Sequence, residues 1–339
     1  MGRLGLALVL GVLLATTPLR AVAAEQSFTE ALDAVLESAA SAASPSIVAM
    51  EVKRKGPVAP RTPAVSMLAF VRGTGPVTGV ILSSDGYVLT SLFNVEGDLE
   101  SIKVTMPDGS VKDAKLLGKD RSRNIALLKV DAQNLPVLKI VRANEVLVGQ
   151  WVLALGRSFP GRAANVSLGI VSATNRIAGR AIQTDADVGP ANYGGALVDL
   201  EGRLVAILTP VGIGGAEADV VNLHDSGIGF AIPVTDVLAE LDRLKAGEEI
   251  KPPLLGIVFD STAMKGGAVV EQIMPNSGAA KSGLQIKDII IEFDGKPIDS
   301  SFQLLHAIGS HATGDVVKFK VKRGDQTIEL TVTLGARTE

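Results

Sequence analysis

The stretch TDADVGPANYGGALVDLEGRL, residues 184–204, joins a glycine-rich turn to a pair of small residues and then to an apolar run. Such a turn folds the backbone tightly and holds one side chain at its tip, as a loop that carries a nucleophile must. The residue at the tip is Tyr193 rather than a serine. Further on, Glu201-Gly202 separates two apolar runs, as in a tight hairpin. The stretch therefore predicts a β-rich fold and raises the question of what Tyr193 does there.

Short runs rich in Val, Ile and Leu surround this stretch and predict an all-β body. Turn dipeptides at Asp85-Gly86 and Asp108-Gly109 divide them, as Glu201-Gly202 does. No helical pattern intervenes between about residues 45 and 235, which predicts a barrel or a sandwich. The runs include IVAMEVKR, GVILSS, YVLTSL, IKVTM, IALLKV, WVLALG, VSLGIVSA and RLVAILT.

The first 24 residues have the pattern of a secretory signal. Arg3 precedes the apolar run LGLALVLGVLLA, and AVAA (21–24) offers small residues for cleavage. The apolar run is shorter than the ~20 residues that a membrane-spanning helix needs. We therefore expect an exported, periplasmic protein, or a membrane-anchored one if the signal is not cleaved. With no cysteine, the fold must be stable without disulfides.

Two helices flank the predicted strands. SFTEALDAVLESAASAA has the capping-box pair Ser27 and Glu30, which predicts a helix over 28–43. A second helix is predicted over 233–247, with Thr235 as N-cap and Gly247 as C-cap. After it, EEIKPP (248–253) has the composition of an interdomain linker.

Length and charge narrow the functional classes. A chain of 339 residues suits two or three domains. The formal net charge is only -3 and no dense Lys/Arg cluster is present, so we expect no nucleic-acid partner. No His, Asp and Glu residues have metal-ligand spacing, and we expect neither a metal nor another cofactor.

A set of motifs carries a family resemblance. In order along the chain they are SPSIVAMEV, DGYVLTS, IKVTMPDG, NIALLKVDAQNLPVLKI, VGQWVLALG, GIVSA, IQTDA, NYGGALVDLEGRLVAI and GIGFAIP. With them, residues 45–240 resemble the HtrA, or Deg-type, branch of trypsin-like serine proteases, and 251–339 resemble the PDZ domain that follows in that family. The resemblance implies a mainly β chain, a trypsin-like double β-barrel followed by a PDZ domain with two helices. The implied segments are a signal peptide (1–24), an N-terminal helix (25–45), the protease-fold domain (46–247), a linker (248–253) and the PDZ domain (254–339).

The resemblance also places the catalytic positions. The histidine falls on Phe93, the aspartate on Asn124 and the serine on Tyr193, while a one-residue shift of the first gives Asn94. Phenylalanine transfers no proton and asparagine carries no charge to stabilise an imidazolium. At the oxyanion loop, Ala191 replaces the family's glycine. We therefore expect a degenerate site at these positions, an inactive protease fold, and a chain that is not an enzyme.

The rest of the barrel region offers few substitutes for a triad. His306 and His311 lie in the PDZ region, so His224 is the one histidine left, and we interpret it as a polar loop residue. A serine–lysine dyad stays open, although no feature points to one.

Two acids precede the tip of the loop. Asp185 and Asp187 lie on the segment that lines the specificity pocket in active relatives. They either attract a basic side chain or are solvated loop acids, and we favour the second interpretation. We also expect Phe93 and Tyr193 to pack together and plug the cleft.

The PDZ resemblance implies a peptide groove. Its carboxylate-binding loop would be Leu254, Leu255, Gly256 and Ile257, its ligand-pairing strand Ile257, Val258 and Phe259, and its apolar pocket Leu304, Leu305 or Ile308. In such domains a peptide C-terminus adds as an extra strand between that strand and a helix. The alternative for each apolar residue is a place in the core.

Two functions therefore stay open. The favoured hypothesis is an HtrA-like pseudoprotease of the cell envelope that binds peptides or protein C-termini and acts as scaffold, chaperone or modulator of active HtrA-type proteases. The alternative is an active serine-type endopeptidase of periplasmic quality control with a non-standard nucleophile. The family also suggests a homo-oligomer.

Overall fold

The computed structural model describes residues 17–55, 77–157, 164–210, 227–259 and 266–336. Its first part is a β-barrel. Strand β5 pairs with both β4 and β6, which closes the sheet on itself. The strands are β1 (Ile47–Arg54), β2 (Val77–Ile81), β3 (Tyr87–Ser91), β4 (Leu99–Thr105), β5 (Val111–Asp120) and β6 (Ile125–Val130).

A second closed barrel follows, with strand order β10-β11-β12-β9-β8-β7. Its strands are β7 (Trp151–Gly156), β8 (Asn165–Asn175), β9 (Ala181–Thr184), β10 (Ala196–Val198), β11 (Leu204–Leu208) and β12 (Gly229–Pro233). The turns predicted at Asp85-Gly86, Asp108-Gly109 and Glu201-Gly202 each join two antiparallel strands. The predicted double barrel is confirmed.

Hydrophobic periodicity explains the layers. In β1, Val48 and Met50 fill the first barrel, while the alternate residue Ile47 joins a core that both barrels share with the N-terminal helix. Residues 47–50 are therefore all buried, which accounts for the continuous apolar run IVAM. The site lies where the two barrels meet.

The helices differ in part from the sequence predictions. Helix α1 (Thr17–Ala43) begins upstream of the predicted start, so Ser27 lies inside the helix and is not a cap. The predicted closing helix is split at Glu240 into α4 (Val234–Ala239) and α5 (Leu241–Lys245). Thr235 lies inside α4 and donates to Asp236 instead of capping the helix, since the chain enters it directly from β12 at Pro233. No helix among the described residues is long and apolar enough to cross a membrane.

Two further short helices belong to the barrels. They are α2 (Leu92–Val95), after β3, and α3 (Arg176–Gly179), between β8 and β9. Neither helix is predictable from the sequence, because four residues are too few to show a helical period.

The predicted linker begins as a strand. Residues Glu249–Ile250 form β13, which pairs in parallel with the end of β5. Ile250 is fully buried in the core shared by the barrels. The first half of 248–253 is therefore attached to the protease-fold domain, and the chain leaves it only after residue 250.

The C-terminal unit is a PDZ-type sheet and helix. β15 (Ile257–Phe259) lies at the edge of the sheet, next to β16 (Ala268–Ile273), β17 (Ile289–Phe293), β19 (Val316–Arg323) and β20 (Gln326–Thr333). The remaining elements are the short strands β14 (Pro253–Leu254), β18 (Lys296–Pro297) and β21 (Gly335–Ala336) and the helices α6 (Gly278–Lys281) and α7 (Ser301–Gly309). Its core, built around Phe293 and Phe319, contains only residues of this unit.

Candidate functional site

Helix α2 places Phe93 at the junction of the barrels. The hydroxyl of Ser91 caps the helix by accepting from the Phe93 amide at 3.3 Å. The helix is buried throughout, and the Phe93 ring lies edge-on against the Tyr193 ring, with 5.5 Å between centroids and an interplanar angle of 79°. The two rings thus pack across the barrel interface, as expected.

Glycines and an asparagine hold the loop that carries Tyr193. Asn94 Nδ2 donates to the Tyr193 carbonyl at 2.7 Å and to Thr90 Oγ1 at 3.0 Å. At Gly194, where φ is +87°, a Cβ would lie 2.2 Å from the Thr78 carbonyl oxygen. Only glycine fits there, which explains the small pair in the sequence. The anchoring role of Asn94 has no signal in the sequence, because it depends on a contact 99 residues away along the chain.

The same loop uses its amides internally. The Tyr193 amide donates to the Gly189 carbonyl at 3.2 Å, and the Asn192 amide donates to that oxygen at 2.8 Å. An oxyanion hole needs such amides aimed at the reacting carbonyl instead. Ala191 has no left-handed backbone conformation. In this arrangement the Tyr193 amide is not available to stabilise an oxyanion.

Asn124 stands beside α2 in a left-handed conformation, with φ of 57°. Its carbonyl accepts from the Leu92 amide at 2.9 Å and from Thr209 Oγ1 at 3.1 Å, and its side-chain amide donates to Pro210. The structure therefore brings the neighbourhoods of residues 93, 124 and 193 together. Asn124 therefore positions the turn through hydrogen bonds, and its side chain carries no negative charge.

The electrostatics favour a neutral site. Tyr193 is 4% exposed, and burial raises the pKa of its phenol well above the ordinary value. Its hydroxyl is therefore protonated at neutral pH and is a poor nucleophile. Neither the Phe93 ring nor the Asn124 amide can accept a proton from it.

The specificity-pocket segment encloses little space. A cavity of about 10 Å³, room for roughly one water, lies between Val188, Tyr193, Thr209, Pro210, Ile228, Gly229 and Phe230. Asp185 and Asp187 are exposed and do not line it, and Asp185 Oδ1 accepts from the Ile170 amide at 2.7 Å. Both acids therefore fit the interpretation as solvated loop residues.

The PDZ loop is held by its carbonyls. The Leu255 carbonyl accepts from the Ala279 amide at 3.0 Å, and the Gly256 carbonyl accepts from the Met274 amide at 2.9 Å. Gly256 has a φ of +87°, and a Cβ there would lie 2.1 Å from that of Ser277. No hydrogen bond within the described part of the chain uses the amides of Leu255 or Gly256. Two donors are thus left for a ligand acceptor.

The groove-side residues differ in exposure. Leu305 on α7 is 49% exposed and Val258 on β15 is 38% exposed. Leu304 and Ile308 are buried in the PDZ core, with Ile257 packed against it. The remaining residues of the predicted groove, Leu254 and Phe259, are half-buried at the ends of their strands. Among the three α7 residues predicted to line the pocket, Leu305 is the exposed one.

The histidines form no catalytic or metal group where the structure describes them. His224 lies outside the described residues. His311 is paired with Asp294 and Asp315 in the PDZ domain, and His306 contacts the second barrel. Among the described residues, no group of His, Asp or Glu side chains could hold a metal ion.

Comparisons with known proteins cover most of the chain. The model of the trypsin-like peptidase domain matches residues 77–207, and that of the PDZ domain matches residues 253–334. A relative from Pseudomonas putida, named a probable periplasmic serine endoprotease DegP-like, is 35% identical over 301 residues. The alignment covers 84% of this chain and 60% of that protein, so the chain spans less than two thirds of that protein's length.

Solved structures agree with this match. The chain resembles the serine endoprotease from Yersinia pestis with 30% identity and a TM-score of 0.65, covering 89% of this chain and 98% of that one. It also resembles the HtrA-type protease AlgW with a tripeptide, with 27% identity and a TM-score of 0.69, covering 90% and 98%.

These relatives correct one expectation. They are named serine endoproteases or HtrA-type proteases, which points to an enzyme, so the expectation that the chain is not an enzyme is wrong. The substitutions at positions 93, 124 and 193 concern the conventional triad, and they do not by themselves show that the chain is inactive.

Proposed function

Since the chain belongs to the HtrA-type family of trypsin-like serine proteases with a C-terminal PDZ domain, we propose that it acts in the periplasm on other proteins by capturing their C-termini or extended segments. The observation that carries the proposal is the PDZ loop, whose Leu255 and Gly256 amides have no hydrogen bond among the described residues, beside an open edge strand. The periplasmic location rests on the names of the relatives and on the signal-like N-terminus.

The arrangement accounts for each part of a bound C-terminus. The two amides would donate to the terminal carboxylate, the free edge of β15 would pair with the peptide backbone, and Leu305 would contact the last side chain. Charge-assisted hydrogen bonds to a carboxylate are stronger than those to a neutral carbonyl. A free C-terminus should therefore bind more tightly than an amidated one.

The direct test is peptide binding by the full-length protein. We expect fluorescence anisotropy to show tighter binding of a labelled peptide that ends in a free-acid valine than of its C-terminal amide. Leu305→Glu should weaken binding of the free-acid peptide at least about tenfold, since it places a negative charge beside the ligand's carboxylate and apolar side chain. Val316→Glu is the matched control, because Val316 is an exposed apolar residue on β19. Equal affinity for acid and amide would refute carboxylate capture.

The second candidate function is that of a serine-type endopeptidase in periplasmic protein quality control. The names of the relatives carry it and favour it over a scaffold, a chaperone or a modulator of active relatives. Because Tyr193 is buried and protonated, this function needs a nucleophile at another position.

Cleavage of unfolded casein tests this second candidate. The positive control is the variant with Phe93→His, Asn124→Asp, Tyr193→Ser and Ala191→Gly, assayed with and without the valine peptide. Casein-cleaving activity that co-purifies with the wild-type protein would support the endopeptidase. Mass spectrometry after labelling with a fluorophosphonate would then locate its nucleophile. Cleavage by the variant alone would refute it.

A further inference from the structure

A contact joins the second barrel to the PDZ helix. His306 of α7 lies against residues 175–179, the turn that contains α3. Its Nε2 is 3.1 Å from the Asn175 carbonyl oxygen. Because a carbonyl only accepts, the imidazole donates through Nε2. At Gly179 an added Cβ would lie 2.6 Å from His306 Cε1. The imidazole therefore occupies a hollow that exists because residue 179 is glycine.

The backbone of this turn is unusual. Asn175 and Ile177 both have left-handed conformations, with φ of 57° and 51°, and Gly179 has φ of +83°. A β-branched residue such as Ile177 rarely adopts that conformation, which persists only where the surroundings enforce it. On one side the turn is held by Arg180, whose Nη1 donates to the Ser122 carbonyl at 2.6 Å. The other side of the turn faces α7.

A second attachment lies at the linker. Ile250 is buried in the barrel core, and one residue later the Lys251 carbonyl accepts from Thr313 Oγ1 of the PDZ domain at 2.7 Å. The PDZ domain is therefore attached at two separate places, the linker and the α3–α7 contact. Two points of attachment restrict rotation in a way that a single flexible tether does not.

We propose that His306 and residues 175–179 form an interdomain latch, which holds the PDZ domain in one orientation on the second barrel. The latch leaves the groove accessible, since Leu305, the neighbour of His306 on α7, is 49% exposed. It fixes where the groove points relative to the cleft between the barrels. The latch does not depend on what the groove binds.

Distance measurements between spin labels test the latch in the full-length protein. The chain has no cysteine, so Gln133→Cys on the first barrel and Asp325→Cys at the exposed PDZ hairpin take labels selectively. Pulsed electron paramagnetic resonance then gives the distribution of interdomain distances. We expect one narrow distribution for the labelled wild type and a broader one, with added longer or shorter distances, for His306→Ala.

A double-mutant cycle separates the contact from backbone strain. Gly179→Ala should broaden the distribution, because its Cβ displaces the imidazole, and it should add little once His306→Ala has removed that ring. His311→Ala is the matched control, since His311 bonds only within the PDZ domain among the described residues. The latch would be refuted if the distance distributions of His306→Ala and Gly179→Ala both superimposed on that of the wild type.

Discussion

At the scale of single residues, Phe93 and Tyr193 form an apolar contact across the two barrels. Each ring is at least nine-tenths buried, and their edge-to-face geometry is the favourable one for aromatic pairs. An active triad would instead place polar groups with directed hydrogen bonds at this junction. The pair therefore contributes to holding the two barrels together.

The buried phenol of Tyr193 predicts a loss of stability in alkali. In the unfolded chain a tyrosine ionises at a pH of about 10, whereas burial raises the pKa of Tyr193 above that. Above about pH 10 the folded state binds more protons than the unfolded state, so the free energy of unfolding falls as pH rises. Tyr193→Phe keeps the ring and removes this dependence.

Urea unfolding between about pH 8 and pH 11 measures this effect. The wild type should lose stability more steeply than Tyr193→Phe above about pH 10, with a constant difference below it. Tyr87→Phe, which removes the other of the two tyrosines, is the control. Parallel curves for the wild type and Tyr193→Phe would contradict the prediction.

Residue types at the site could be read from the sequence, but their partners could not. The motif order identified Phe93, Asn124 and Tyr193 as the residues at the catalytic positions. Two contacts depend on how the barrels meet. They are the hydrogen bond from Asn94 to the Tyr193 carbonyl and the one from the Tyr193 amide to the Gly189 carbonyl. Neither local propensity nor periodicity carries that information.

At the scale of secondary structure, the end of β19 is held by an ion pair. Arg323 makes two 2.8 Å bonds to the carboxylate of Asp288, which is 1% exposed. Burial raises the pKa of Asp288, but the Arg323 hydrogen bonds, the Gln285 amide and the Arg323 charge outweigh it, and the pKa is lowered overall. The pair's stabilisation is thus present at neutral pH and lost as pH falls through the lowered pKa.

Arg323→Ala should destabilise the PDZ domain at pH 7, because it removes the charged partner of the buried Asp288 carboxylate. The penalty should shrink as pH falls below about 4, where Asp288 takes up a proton first in the unfolded state and, at lower pH, in the folded state. Lys320→Ala is the control on the same strand and should destabilise the domain less, since its pair with Glu292 is partly exposed on both sides. Urea unfolding at the two pH values measures both, and a penalty independent of pH would contradict the account.

The linker strand β13 gives a second prediction at this scale. Ile250→Ala should lower the free energy of unfolding of the barrels by about 2–4 kcal/mol, because it opens a cavity in their shared core. Val111→Ala on β5, where Val111 is 58% exposed, should change it by less than about 0.5 kcal/mol. Thermal unfolding compares the two variants, and equal effects would show that β13 does not hold in solution.

The strands themselves were predictable where alternation and turn residues agree. The turns at Asp85-Gly86, Asp108-Gly109 and Glu201-Gly202 were predicted, and each joins two antiparallel strands in the structure. Strand β13 in the linker was not predicted, because two residues show no period and the composition alone suggested a flexible tether. Thr235 was predicted as the N-cap from its residue type, whereas the N-cap in the structure is Pro233, two residues earlier.

At the scale of the whole molecule, the PDZ core is separate from the cores of the barrels. Its buried cluster contains only residues between 255 and 334, whereas the other clusters belong to the barrels, their connecting segments and α1. The two parts meet through the linker and the α3–α7 contact, which is a small interface by comparison with a core. Such an arrangement favours separate unfolding of the two parts.

Calorimetry of the full-length protein should therefore show two transitions. A free-acid peptide at about 100 times its dissociation constant should stabilise only the PDZ transition, by about 2.7 kcal/mol, because it binds the folded PDZ domain and not the barrels. The amidated peptide at the same concentration should shift it less, since the Leu255 and Gly256 amides then face a neutral group. Ile250→Ala should move the other transition. A single transition that the peptide and Ile250→Ala both shift would instead mean that the latch and the linker couple the domains into one cooperative unit.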